Sequence, residues 1–256
     1  MSTPAAAKEG VQTVRSPGRH WELLFAEWPA VTVADARLSD FVDPVDLASP
    51  AALAAIPDLP PEEAAQIAHA VPRRQLEFAT VRVCARRAAA RLGVAPFVLL
   101  NGADRAPLWP ADLVGSLTHT GRGTSGYCAA AAARADAMRS IGIDAEQAQP
   151  LPSRLWDFIL TPSEQTHLRA MDPDPDAWGL LAKIVFSAKE CFYKAQFPLT
   201  RQYLGFHQVE IALDLANGAF EARLSPSAPP GMALTASRGR FAVAEDLVKT
   251  AIGVPH

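Results

Sequence analysis

Residues 73–92 contain no glycine and no proline, and Gly93 follows immediately. A run of this length closed by glycine predicts one long helix ending in a left-handed cap. No other stretch of the chain constrains the fold as firmly. Val81, Ala85, Ala88 and Leu92 recur at i, i+4, i+7 and i+11, which is an apolar stripe. Arg74, Arg82 and Arg86 fall together on an adjacent face, because eight residues amount to about 80° around a helix. One face therefore packs, and its neighbour offers guanidinium groups. Residues 72–92 hold six arginines against a single acid, Glu77, for a net charge of +5. The whole chain carries −3, so the remainder carries −8.

The overall acidity argues against a general nucleic-acid binder, which is usually basic. The local basic patches point instead to a small anionic ligand or an acidic partner, with solvated helix arginines as the plain alternative. Of five lysines, Lys183, Lys189 and Lys194 fall within twelve residues. With 256 residues, 49% of them hydrophobic and 20% charged, the chain is long and apolar enough to bury a core. It reads as one large domain or two halves. MSTPAAAKEG shows no basic segment followed by an apolar one, and no run of 18 apolar residues exists. Neither a signal peptide nor a membrane span is expected. Cys84, Cys128 and Cys191 form no C-x-x-C pair and fit free, packed thiols in a reducing cytoplasm.

Residues 1–18 are expected to be a mobile tail, with an N-terminal half at 19–139 and a C-terminal half at 140–256. Pro61-Glu62-Glu63 reads as a helix start. Residues 113–119 read as a strand leading to His119, and 140–145 as another. Residues 128–133 fit strand or helix equally. Residues 151–160 look helical. Thr161-Pro162-Ser163-Glu164 has the form of a capping box that opens a helix to about Met171. After the break at 172–176, residues 178–196 predict a long helix stopped before Pro198. Segments 207–215, 219–225 and 232–253 alternate as a strand meander, with Asn217-Gly218 at a hairpin turn.

Three constellations carry chemistry. Asp144 and Glu146 lie two apart on a predicted strand and so share a face. Their oxygens, with no histidine or thiol beside them, suit Mg²⁺ better than Zn²⁺, while two solvated acids are the bland reading. Glu190 and Lys194 are i, i+4 neighbours in a mostly apolar, aromatic helix, either an exposed ion pair or charges bordering a buried surface. Ser116, Thr118 and His119 either hold a phosphate through hydrogen bonds or are structural. Together these residues converge on a polyanion held with a divalent cation, since Mg²⁺ completes its shell with substrate phosphate and water. No Walker loop, Rossmann glycine fingerprint, G-x-S-x-G elbow or H-E-x-x-H is present.

In order, RRQLEFATVRVCARRA, APLWP, VGSLTH, IGIDAE and FSAKECFYK resemble the 4′-phosphopantetheinyl transferases of the enterobactin/surfactin type, from about residue 72 to residue 253. The resemblance implies an α+β, pseudo-twofold fold of two similar halves with the active site between them. It implies transfer of the phosphopantetheine arm of coenzyme A to a serine of apo acyl, peptidyl or polyketide carrier proteins, with release of 3′,5′-ADP. It implies Mg²⁺ on Asp144, Glu146 and Glu190, with Glu190 also the general base. Lys194 and Lys189 would face the pyrophosphate, Thr118 and His119 the coenzyme A phosphates, and Arg74 and Arg82 the adenosine 3′-phosphate. Some relatives carry a lysine where Asn101 stands, a contact that Arg105 would replace. The stretch Gly121–Ser125 is longer than usual and is expected to loop into solvent. The expected protein is a cytoplasmic monomer with no nucleic-acid partner and no stable membrane association. Competing readings are a non-catalytic coenzyme A or carrier scaffold, and a Mg²⁺-dependent phosphohydrolase.

Overall fold

The computed structural model describes residues 20–41, 59–121 and 126–256. The expected tail at 1–18 and most of the Gly121–Ser125 loop lie outside them. Helices combine with antiparallel sheets, so the fold class is α+β. Among the described residues no helix is long and apolar enough to cross a membrane. The chain divides into two compact units, one comprising Glu27–Ala145 with Gly253–His256, the other Met1–Ala26 with Glu146–Ile252. The division thus falls at 145/146, where the sequence suggests 139/140; of the described residues, 20–26 group with the C-terminal half and Gly253–His256 with the N-terminal half.

In the first unit, α2 spans Pro61–Ile67 and α3 Pro72–Ala90, each with proline at its start. Gly93, at φ 73°, closes the turn after α3 as the sequence predicts. Helix α3 packs on an antiparallel sheet of order β1-β3-β2, formed by Thr32–Arg37, Tyr127–Arg134 and Leu113–Thr120. The ambiguous alanine run is therefore a strand. Alanine is a poor strand former in isolation, but here β3 lies between two partners, and Ala129–Ala133 are wholly buried. Small side chains let the helix approach closely, and the Thr32 hydroxyl reaches the Ala88 carbonyl at 2.8 Å. The core beneath α3 is built from Leu76, Ala79, Cys84, Ala85 and Ala88 with Leu38 and Leu99. Gly115 is required on β2, because a Cβ there would stand 2.4 Å from the Trp109 ring. Strand β4, Met138–Gln147, leaves this unit at Ala145.

In the second unit, α1 is His20–Leu24, α4 Trp156–Ile159, α5 Pro162–Met171 and α6 Pro175–Thr200. The helical reading of 151–160 shrinks to one 3₁₀ turn and α4. The capping box forms as predicted: Glu164 N–H donates to the Thr161 hydroxyl at 3.2 Å, and Thr161 N–H to the Glu164 carboxylate at 2.7 Å. Helix α6 does not stop before Pro198. It runs to Thr200 and ends at Arg201 in a left-handed conformation, φ 57°, whose N–H reaches the Phe197 carbonyl. Proline in the last turn removes an amide donor without a long helix beyond it to disrupt. Strands β5 to β8, Val209–Asp214, Ala219–Leu224, Ala236–Ala244 and Leu247–Pro255, form the expected antiparallel meander. Gly218, at φ 57°, shapes the first hairpin. Leu181, Ile184, Val185, Ala188 and Phe192 of α6 are buried, as the contacts of the helix with β5, β6 and β7 require. Burial of one such large side chain contributes about 1.5–3 kcal/mol.

Candidate active site

The predicted phosphate face of α3 splits in two. Arg82 turns inward and is 2% exposed. Its guanidinium donates to the carbonyls of Leu99 (2.9 Å) and Phe78 (3.2 Å) and to Asn101 Oδ1 (2.8 Å), and it lies over the Phe78 ring. Burial pulls its pKa down to about 10, against the attraction of Glu63, so it stays charged at neutral pH. Arg86 likewise pairs with the buried Glu63 at 2.8 Å. Arg82 thus acts as a strut that holds the 99–101 segment. Asn101, the departure noted in the sequence, supplies an acceptor that a lysine lacks.

Arg74 differs: its side chain is 45% exposed. Its NH1 lies 2.6 Å from His119 Nε2 on β2. A guanidinium only donates, so Nε2 accepts and the ring proton sits on Nδ1, toward Glu77 Oε2 at 3.7 Å. Arg74 and His119 are thus brought together. Thr118 is not with them. Strand alternation sends it to the opposite face, where its buried hydroxyl donates to Asp144 Oδ1 (3.2 Å) and accepts from Ala145 N–H (3.1 Å). Ser116 does the same for Ile143 N–H at 3.1 Å. These hydroxyls fasten β4 and orient Asp144. Arg105 sits exposed at the corner of a tight turn, in left-handed conformation at φ 65°.

Between Leu181 and Pro198 of α6, the half-buried positions are Lys183, Phe186, Glu190, Tyr193, Lys194 and Phe197. Their spacing makes one stripe along the helix. Aromatic rings frame it: Phe186 meets Phe206 at 5.7 Å, and Tyr193 meets Phe197 and Tyr203 at 5.3 and 5.9 Å. Lys183 pairs with Glu146 at 3.5 Å. Glu190 and Lys194 therefore border an apolar surface one turn apart. Lys189 is elsewhere. It is 1% exposed, and its ammonium donates to the carbonyls of Ile159 (2.8 Å) and Phe206 (2.7 Å) and to Glu164 at 2.7 Å. Three donors meet three acceptors, leaving no proton for a pyrophosphate. Burial lowers its pKa although Glu164 opposes that shift.

Among the described residues no group of three or more His, Cys, Asp or Glu converges to hold a metal ion. The chemistry of the carboxylates nevertheless fits Mg²⁺: hard oxygen donors, with Asp144 held by the Thr118 hydroxyl and Glu146 by Lys183. All three cysteines are free and buried, and burial pushes the Cys84 thiol up to about 12, which suits packing and not nucleophilic chemistry. Sequence reasoning missed Glu164, visible only as a cap, and Glu77, visible only as the lone acid among six arginines.

Comparison with known proteins adds an independent finding. Residues 62–133 match the model of the 4′-phosphopantetheinyl transferase N-terminal domain, and residues 140–244 that of the 4′-phosphopantetheinyl transferase superfamily. The chain is 47% identical to 4′-phosphopantetheinyl transferase Svp of Streptomyces mobaraensis over 199 residues, 76% of this chain and 78% of that protein. It is 43% identical to 4′-phosphopantetheinyl transferase PptT of Mycobacterium tuberculosis over 198 residues, 75% and 84% of the two chains. With enterobactin synthase component D of Escherichia coli it shares 34% over 133 residues, 51% and 59% of the two chains.

Proposed function

The chain belongs to the 4′-phosphopantetheinyl transferase family, and from that premise we propose how its own residues divide the work. It is a transferase that moves the 4′-phosphopantetheine group of coenzyme A to carrier proteins. The observation that supports the assignment best is the half-buried stripe of α6, where Glu190 and Lys194 stand one turn apart among aromatic rings while Lys189 is withdrawn inward.

Glu190 takes the proton of the carrier serine as its hydroxyl attacks the phosphorus that bears pantetheine. The new oxygen–phosphorus bond forms as the bond to the leaving phosphate of 3′,5′-ADP breaks. Lys194, half-buried among aromatic rings, offsets charge that grows on the departing oxygens. Arg74 and His119 hold the 3′-phosphate end, with Arg105 as a further cation. Asp144, Glu146 and Glu190 would hold Mg²⁺, which when bound neutralises pyrophosphate oxygens. The acceptors are apo acyl, peptidyl and polyketide carriers. The same reading makes the protein a cytoplasmic monomer without nucleic-acid or membrane partners, and its three buried free thiols favour a reducing compartment.

The test is a mass measurement. Purified protein, coenzyme A and Mg²⁺ should add one phosphopantetheine to apo carriers of these classes. Glu190→Gln should lower the rate by about 10²–10⁴-fold with unchanged circular dichroism. No mass gain on any carrier, or 3′,5′-ADP release without an acceptor, overturns the reading.

A further inference from the structure

Glu77 is the only acid in the arginine-rich stretch 72–92, and its side chain is 12% exposed, beneath the more exposed Arg73 and Arg74 of α3 and His119 of β2. Oε1 accepts from Arg73 Nε at 2.9 Å. Oε2 accepts from Arg74 NH1 at 3.4 Å and faces His119 Nδ1 at 3.7 Å. Arg73 also donates to the Gly121 carbonyl, just past the end of β2. One carboxylate thus ties the first turn of α3 to the end of β2.

This arrangement works against local preference. The first turn of α3 holds two arginines and no acid, although the positive end of the helix dipole disfavours cations there. Arg73 and Arg74 both reach Glu77, and Arg74 also donates to His119 at 2.6 Å. Adjacent guanidinium charges separate unless an opposite charge holds them, and long arginine side chains lose rotamer freedom when fixed. Glu77 offsets both effects before a ligand arrives. The outward edges of the cations remain the more exposed ones.

We propose that Glu77 is a positioning residue that pre-arranges Arg73 and Arg74, with His119 held against Arg74, as one clamp, and that it sets the preference for a nucleotide bearing a 3′-phosphate. This rests on the reading above that Arg74 and His119 face that end of coenzyme A. Glu77 touches no substrate. It acts by fixing the geometry of groups that do, so its removal weakens only ligands carrying the extra phosphate.

Calorimetry tests this without requiring turnover. Wild type should bind 3′,5′-ADP more tightly than 5′-ADP. Glu77→Gln should reduce that preference about tenfold while 5′-ADP affinity changes less than about twofold, a contrast that general loss of structure does not produce. Equal affinities in wild type, or equal weakening of both nucleotides in Glu77→Gln, overturn the proposal. If Glu77→Gln does not fold, Arg73→Gln should show the same selective loss, and an unchanged preference there is equally fatal. In the transfer assay, Glu77→Gln should raise KM for coenzyme A about tenfold with kcat nearly constant, and leave KM for 3′-dephospho-coenzyme A unchanged. Absence of transfer by wild type with an intact 3′,5′-ADP preference removes the function assigned above and leaves the clamp standing.

Discussion

Helix α3 in one unit and helix α6 in the other use their cations in the same two ways, but with different counter-groups. Each sends one cation inward as a strut, Arg82 or Lys189, and keeps others half-exposed, Arg74 or Lys194. Arg82 is held directly by neutral acceptors, two carbonyls and an amide oxygen. Lys189 is held by two carbonyls and a carboxylate, Glu164, which also accepts from the N–H groups of Thr161 and Ile211. A guanidinium is planar, with donors spread over a fork, so it can serve several neutral groups at once. An ammonium is a compact charge and is buried more readily with an anion beside it. The second strut therefore has more to lose when its partner is removed.

The largest expected effect follows from that difference. Lys189→Met leaves Glu164 buried without its cation and should destabilise the protein by about 3–5 kcal/mol in urea unfolding. Lys194→Met should stay within about 0.5 kcal/mol while transfer falls. Equal stability losses at 189 and 194 would break the comparison. Next comes Arg82→Met, which strands neutral acceptors and no charge. It should cost about 1–3 kcal/mol, less than Lys189→Met and more than Arg74→Met. The reverse order would show that Glu63, not the carbonyls, dominates at Arg82.

The smallest effect is a pH slope. Cys84 in the α3 unit is pushed from 9.0 to about 12 by burial. Its contribution is complete below pH 9 and is lost as pH rises toward 12, because the unfolded thiol ionises first. Lys189 has the opposite sign. Its pKa is lowered from 10.5, so its contribution rises as pH climbs toward 10.5. Between pH 8 and 10, Cys84→Ala should flatten the alkaline loss of stability by about 1 kcal/mol, and Lys189→Met should steepen it. Slopes of the same sign for both variants would contradict these environments.

Lys189, Thr118 and Arg82 turn into the protein, and for two of them the separation from their neighbours was legible from geometry alone. Lys189 and Lys194 are five residues apart, about 140° around a helix, so they do not share a face. Thr118 and His119 are adjacent on a strand and point to opposite sides. Arg82 is different. Helix arithmetic puts it beside Arg74, and only the approach of Leu99 and Asn101 explains why it is buried. The Asn217-Gly218 hairpin, the Thr161–Glu164 cap and the glycine stop after α3 were all readable, because each depends on interactions within a few residues. The division at 145/146 was not, since it depends on which distant segments pack together.

The sequence by itself determined the family, the long helices, the meander and the order of the chemical motifs. These follow from periodicity, capping chemistry and residue identity, which are properties of the chain. Tertiary structure decided which cations became struts and which stayed accessible. It also made Glu77, one acid among six arginines, the link between α3 and β2. Burial and ion pairing depend on partners dozens of residues away, such as His119 for Arg74 and Glu164 for Lys189, and local pattern does not encode those distances.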